Sequence, residues 1–206
     1  MGKHVQSIDS KTLSRVRGKG PGWVFTPGHF LDLGSRDAVA SALKRHKKAG
    51  TIRQLARGLY DYPRHDPQLG VLSPSVNAVA AALKGRDAIR LQPSGAYAAN
   101  LLGLSDQVPM KVVFLTDGPS RHVQIGKQRI ILKRTTPRNM ATAGKIGGLV
   151  IQALRHLSQQ NVDDKVVGTL RRRLNSDDKK QLLKDIRYAP AWIGGVLRQI
   201  AETPTP

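Results

Sequence analysis

The chain contains no cysteine. That absence excludes disulfide cross-links, thiolate zinc sites and thiol nucleophiles together, and it fits a reducing compartment. Glutamate is nearly as scarce, Glu202 being the only one in 206 residues. The sequence also lacks His-Glu-x-x-His, Gly-x-Ser-x-Gly, a Walker segment and any metal-ligand spacing, so no catalytic site, metal or cofactor is expected and the chain reads as a non-enzyme. No apolar run approaches the roughly 18 residues needed to span a bilayer. The opening MGKHVQSIDS has no signal-peptide apolar core, which predicts a cytoplasmic protein. Internal repeats and low-complexity tracts are missing too.

What is present is positive charge. Lys and Arg number 34 against 14 Asp and Glu, a formal net charge of +20. An anionic polymer, an acidic protein or a membrane surface is the expected class of partner, with the membrane the weakest of these. The 39% hydrophobic content over 206 residues suffices for two modules with their own cores.

The segment SRDAVASALKRHKKAGTIRQLARGLYDYPR, residues 35–64, carries the most information. Ser35 is placed to cap a helix, with Asp37 complementing the positive end of its dipole. At helical period Val39, Ala42, Leu43 and His46 share one face, and Ser41, Lys44, Arg45 and Lys48 lie broadly opposite. Gly50 then ends the helix, and residues 52–56 and 59–62 read as two strands joined by the turn Ala56-Arg57-Gly58. Upstream, Ser10 is read as the cap of a first helix carrying Leu13 and Val16, and Thr26-Pro27 opens a short second one. Helix, short helix, turn, amphipathic helix and hairpin predict a winged helix-turn-helix over residues 1–66 that binds double-stranded DNA. Ser35, Arg36, Asp37 and Ser41 are the candidates for base edges. Lys44, Arg45, Lys48, Arg53 and Arg57 are the basic candidates, with Lys44, Lys48, Arg53 and Arg57 placed on phosphates. The glycines of RGKGPGW, with no preceding strand and no following Lys-Ser/Thr, read as a connection and not a phosphate loop.

Residues 61–74 hold three prolines and few apolar anchors, which puts a linker at 67–74. Asp61, His65 and Asp66 fall in this stretch, where a catalytic or metal cluster has little to hold it rigid. Residues 75–206 read as an α+β domain: a helix ending at Gly85, a short strand DAIRLQ (87–92), a small-residue helix SGAYAANLLG, an antiparallel meander of three strands, and terminal helices. The overall expectation is thus α+β, an N-terminal winged helix-turn-helix followed by a C-terminal α+β domain. Asp163-Asp164 and Asp177-Asp178 resemble catalytic pairs but sit where helices begin, where dipole complementation accounts for them. From Lys111 to Leu157 the only acid is Asp117, amid a second set of cations in which Lys127, Arg129, Lys133, Arg134 and Arg138 are the candidate partner-binding residues.

GWVFTPGHF (22–30), AVASALKRHKKAGTIRQLARGLYDYP (38–63) and LQPSGAYAANLLGLSDQVPMKVVFLTDGPSRHVQIGKQRIILKRT (91–135) together resemble the AbiE-type (AbiEi) antitoxins of bacterial type IV toxin–antitoxin systems. The resemblance spans roughly residues 10 to 140 and departs from the family pattern at His29 and at Arg45-His46. It implies an N-terminal winged helix that represses its own operon and a C-terminal domain that counteracts a nucleotidyltransferase-fold toxin, through the toxin or its RNA substrate. The competing expectations are a non-catalytic RNA-binding protein, a solitary winged-helix regulator without a toxin, and a nuclease or transferase built from scattered aspartates.

Overall fold

The computed structural model describes residues 7–85 and 89–202. The opening segment 1–6 and residues 87–88 of the expected strand 87–92 therefore lie outside the described residues. The chain divides into two compact units, residues 1–88 and 89–206.

In the first unit α1 (Ile8–Lys19) is capped by Ser7, whose hydroxyl accepts from the Ser10 N–H at 3.2 Å; Ser10 is thus inside the helix instead of capping it. β1 (Val24–Phe25) leads into a 3-10 turn, Pro27–Phe30. Thr26 caps that turn, and the His29 ring returns to the Thr26 N–H at 3.1 Å. α2 (Arg36–Lys48) buries Val39, Ala42, Leu43 and His46, the face its periodicity predicts, and Gly50 at φ 72° takes the left-handed position just after it. β2 (Arg53–Ala56) and β3 (Leu59–Asp61) form the expected hairpin, and β1 adds to β3 to give an antiparallel sheet of order β1-β3-β2.

Aromatic residues make up only 4% of the chain, yet they cluster here. Trp23 and Phe25 lie 4.6 Å apart between ring centroids, and Phe25 meets Phe30 edge-on at 5.3 Å. With Val16, Val39, Leu43 and Ile52 they close one small core, each large ring burying area that a short aliphatic side chain could not.

The expected linker is folded into this unit. β4 (His65–Asp66) and β5 (Gly70–Val71) pair as a second hairpin, its tip held by the Asp66 carboxylate, which accepts from the Gln68 and Leu69 N–H groups at 2.9 Å each. α3 (Val76–Lys84), capped by Ser75, packs against β1. The helix read as opening the second domain thus belongs to the first unit, and the division falls near residue 88 and not at 67–74. Proline and glycine mark a turn equally well inside a domain as between two.

The second unit begins with β6 (Leu91–Ser94) and α4 (Gly95–Leu101). β7 (Lys111–Thr116), β8 (Arg121–Ile125) and β9 (Gln128–Arg134) follow. They do not form a meander. The sheet order is β6-β7-β9-β8, with β9 inserted between β7 and β8 and parallel to β7. Only the turn at Gly126-Lys127 joins hydrogen-bonded neighbours, whereas Gly118-Pro119-Ser120 carries the chain past the site that β9 fills.

The short α5 (Pro137–Met140) precedes α6 (Ile146–Leu157), α7 (Asp164–Arg173), α8 (Ser176–Asp185) and α9 (Ala191–Ala201). Their apolar faces meet α4 in a core that includes Ala98, Ala99, Val150, Leu154, Leu170, Leu182, Ile193 and Leu197. The alanines let α4 approach α6 closely, and Asn100 ties down the following loop by donating to Ser105 O and Gln107 O at 3.0 and 3.1 Å. The paired aspartates do what helix starts require. Asp163 caps α7 through the Val166 N–H at 2.9 Å, and Asp178 completes a capping box with Asn175.

Candidate nucleic-acid interface

Two mainly basic surfaces emerge, one on each unit. On the first, α2 turns its apolar face inward and leaves Arg36, Asp37, Ala40, Ser41, Lys44 and Lys48 exposed. Ser35 spends its hydroxyl on the cap, accepting from the Ala38 N–H at 3.3 Å. The β2–β3 turn is held by Gly58 at φ 70°, a conformation open to glycine at little cost, and it presents Arg57 beside the start of α2. Between these elements runs an open groove of about 650 Å3, lined by Pro27, Gly28, Leu31, Arg36, Asp37, Ala40, Arg57 and Gly58. Arg57 also stands on the rim of a second groove of about 630 Å3 that holds Lys47, Gln54 and His65.

The structure separates the expected residues into two groups. Arg36, Lys44, Lys48 and Arg57 are exposed and make no hydrogen bond or ion pair among the described residues. Arg45 and Arg53 are engaged within the fold. Arg45 Nε donates to Asp9 at 2.8 Å, joining α2 to α1. Arg53 forms a two-pronged pair with Asp61, at 3.1 and 2.6 Å, and a third bond to Leu72 O at 3.0 Å. Asp61 is 1% exposed, and its carboxylate raises the Arg53 pKa above the ordinary guanidinium value. Arg53 thus fastens the hairpin to the segment that follows it. Of Asp61, His65 and Asp66, the first is consumed by this pair and the third by its turn. Among the described residues no three His, Asp or Glu side chains come together as a metal site.

Leu31, Gly28 and Ala40 enter the groove without any signal in a count of cations, because they carry no charge. Leu31 follows a short 3-10 turn whose buried residue is Phe30.

On the second unit the sheet register sorts the basic residues. Side chains alternate between faces along a strand, and Lys111 pairs with Arg129, His122 with Ile131 and Gln124 with Arg129. Arg129, Ile131 and Lys133 therefore share a face with His122 and Gln124, and they line an open groove of about 590 Å3 together with Arg121. Lys127 stands in the β8–β9 turn. Arg134 alternates to the other face and Arg138 lies in α5, and neither lines the groove. The five expected partner residues are thus split. His122 and Gln124, which the charge pattern did not single out, lie beside Arg129 and Lys133.

Residues 11–182 match the model of a family of unknown function (DUF6088), and the chain belongs to that family. A comparison with curated proteins gives no match. No helix among the described residues is long and apolar enough to cross a membrane.

Proposed function

We propose that the protein is a transcriptional regulator that binds double-stranded DNA through its first unit, with α2 as the recognition helix of a winged helix-turn-helix and the β2–β3 hairpin as its wing. The observation that carries this is the convergence of Arg36 and Asp37, from the start of α2, with Arg57, from the hairpin turn, on one groove. Lys44 and Lys48 continue the same exposed helix face. An amphipathic helix with its N-terminal residues toward base edges and flexible cations along its flank suits the major groove, and a cationic hairpin suits the adjacent backbone.

The resemblance to AbiE-type antitoxins extends the proposal to repression of the chain's own operon, in the cytoplasm, and to counteraction of a nucleotidyltransferase-fold toxin. In that scheme the groove of Arg129 and Lys133 is the surface that meets the toxin or its RNA substrate. The chain would act by binding alone, without catalysis or a cofactor.

The decisive experiment is binding of the full chain to the duplex upstream of its own gene, against random duplex of equal length, over a range of salt. Affinity should fall steeply with salt, because each neutralised phosphate releases condensed counterions. Lys44→Ala and Arg57→Ala should weaken binding to both duplexes, while Arg36→Ala should lose about 1–3 kcal/mol of preference for the cognate one if it contacts a base. Equal affinity of the intact chain for both duplexes, or none for either, would refute the regulator.

A further inference from the structure

Leu31 leaves 43% of its surface in solvent, while Phe30 beside it is fully buried. Together with Pro27 and the exposed methyl group of Ala40 it forms an apolar strip in the 650 Å3 groove. The charged side chains lining that groove are Arg36, Asp37 and Arg57. Ala40 stands four residues after Arg36 and so on the same helix wall, one turn further on. An apolar strip bordered by guanidinium groups matches an anionic partner that offers a small apolar projection. Duplex DNA offers one kind in its major groove, the 5-methyl group of a pyrimidine.

We infer that this strip receives the 5-methyl group of a 5-methylcytosine and is the part of the surface that distinguishes it from unmodified cytosine. The inference rests on the DNA-binding proposal above and adds the base chemistry to it. Thymine and 5-methylcytosine both present this group, and the carboxylate in the groove selects the second. Beside it Asp37 accepts from the amino group of cytosine N4 and repels the carbonyl O4 of thymine, while Arg36 reaches the O6 and N7 of a neighbouring guanine.

The test uses duplexes that the full chain retains from a random-sequence pool. They are resynthesised with each thymine in turn replaced by uracil and, separately, each cytosine by 5-methylcytosine. Dissociation constants are compared at one ionic strength. At one position the methyl group should tighten binding about fourfold, the worth of one buried methyl. The effect should appear in the methylcytosine series; an effect confined to the uracil series would make thymine the occupant and overturn the assignment to 5-methylcytosine. In Leu31→Ser and Ala40→Ser chains, both at exposed positions, the methylated and unmethylated duplexes should bind alike while phosphate contacts keep overall binding. Absence of any methyl-sensitive position, or sensitivity that survives both substitutions, overturns the inference and leaves DNA binding standing. A full chain that retains no duplex from the pool overturns both.

Discussion

Arg53 and Arg57 stand four positions apart on one hairpin and have opposite roles. Arg53 neutralises the buried carboxylate of Asp61, so it serves the fold, whereas Arg57 has no partner among the described residues. Asp61→Asn should cost about 2–3 kcal/mol in urea denaturation, the worth of a hydrogen bond to a charged group. Arg57→Ala should leave stability within about 0.5 kcal/mol, as surface substitutions do, while weakening DNA binding. Two other carboxylates make the fold acid-sensitive. Backbone N–H groups of Leu69 and Gln68 hold the Asp66 pKa below the ordinary carboxylate value. The backbone N–H and the guanidinium of Arg90 do the same for Asp117. A lowered folded-state pKa means that their contribution is present above the unfolded value of about 3.9 and is lost as pH falls through the lower folded value. Carboxyl carbon shifts followed by NMR should show both midpoints below those of the unfolded chain. A midpoint at or above the unfolded value would contradict the assigned turns.

At the scale of elements, glycine has two different meanings here. A Cβ added at Gly18, inside α1, would meet nothing within 4 Å. Gly18→Ala should therefore stabilise by about 0.5–1 kcal/mol through the lower backbone entropy of the unfolded chain. In α6 a Cβ at Gly147 would run into the Asp185 carboxylate, and one at Gly148 into the backbone oxygen of Thr142 and the side chain of Gln92. Asp185 and Gln92 are each 1% exposed, so neither can swing into water. Gly148→Ala should destabilise by about 1–3 kcal/mol, the usual cost of overpacking, and more than Gly147→Ala, because a backbone oxygen yields less than a side chain. Thermal denaturation of the three variants orders them. Strand order belongs to the same scale. Residues 111–134 carry three strand signals with turn residues between them, but such signals mark where strands lie and not which of them pair. The parallel pairing of β7 with β9 has no local signature.

Across the whole molecule the positive charge is spread over both units. Residues 1–88 carry 15 Lys and Arg against 6 Asp and Glu, and residues 89–206 carry 19 against 8. Each unit has a core of its own, built on aromatic rings in the first and on packed helices in the second. The proposed functions should accordingly separate. In cells carrying the cognate toxin, Arg36→Ala or Lys44→Ala chains should lose promoter repression and retain protection. Arg129→Glu with Lys133→Glu should do the reverse, provided circular dichroism shows the fold intact. Loss of protection in the first pair with retention in the second would confine the antitoxin effect to silencing of the operon.

The amphipathic period of 36–48, the stop at Gly50 and the turn at Gly58 were legible in the sequence, because each depends on neighbours within a few residues. The same holds for the aspartates at helix starts, whose partners lie three residues away. Charge counting likewise located two basic segments. Tertiary structure alone decided which cations remain available: Arg45 is taken by Asp9 on another helix, and Arg53, opposite Asp61 in its own hairpin, is tied further to the Leu72 carbonyl of the segment that follows. It decided that the proline-rich stretch folds back as a hairpin, and that β9 enters between β7 and β8. It also placed Leu31 and Ala40, uncharged and unremarked by composition, beside Arg36 and Arg57. Local conformation follows from backbone sterics and short-range hydrogen bonds, whereas the surface a partner meets is set by which distant segments share a core.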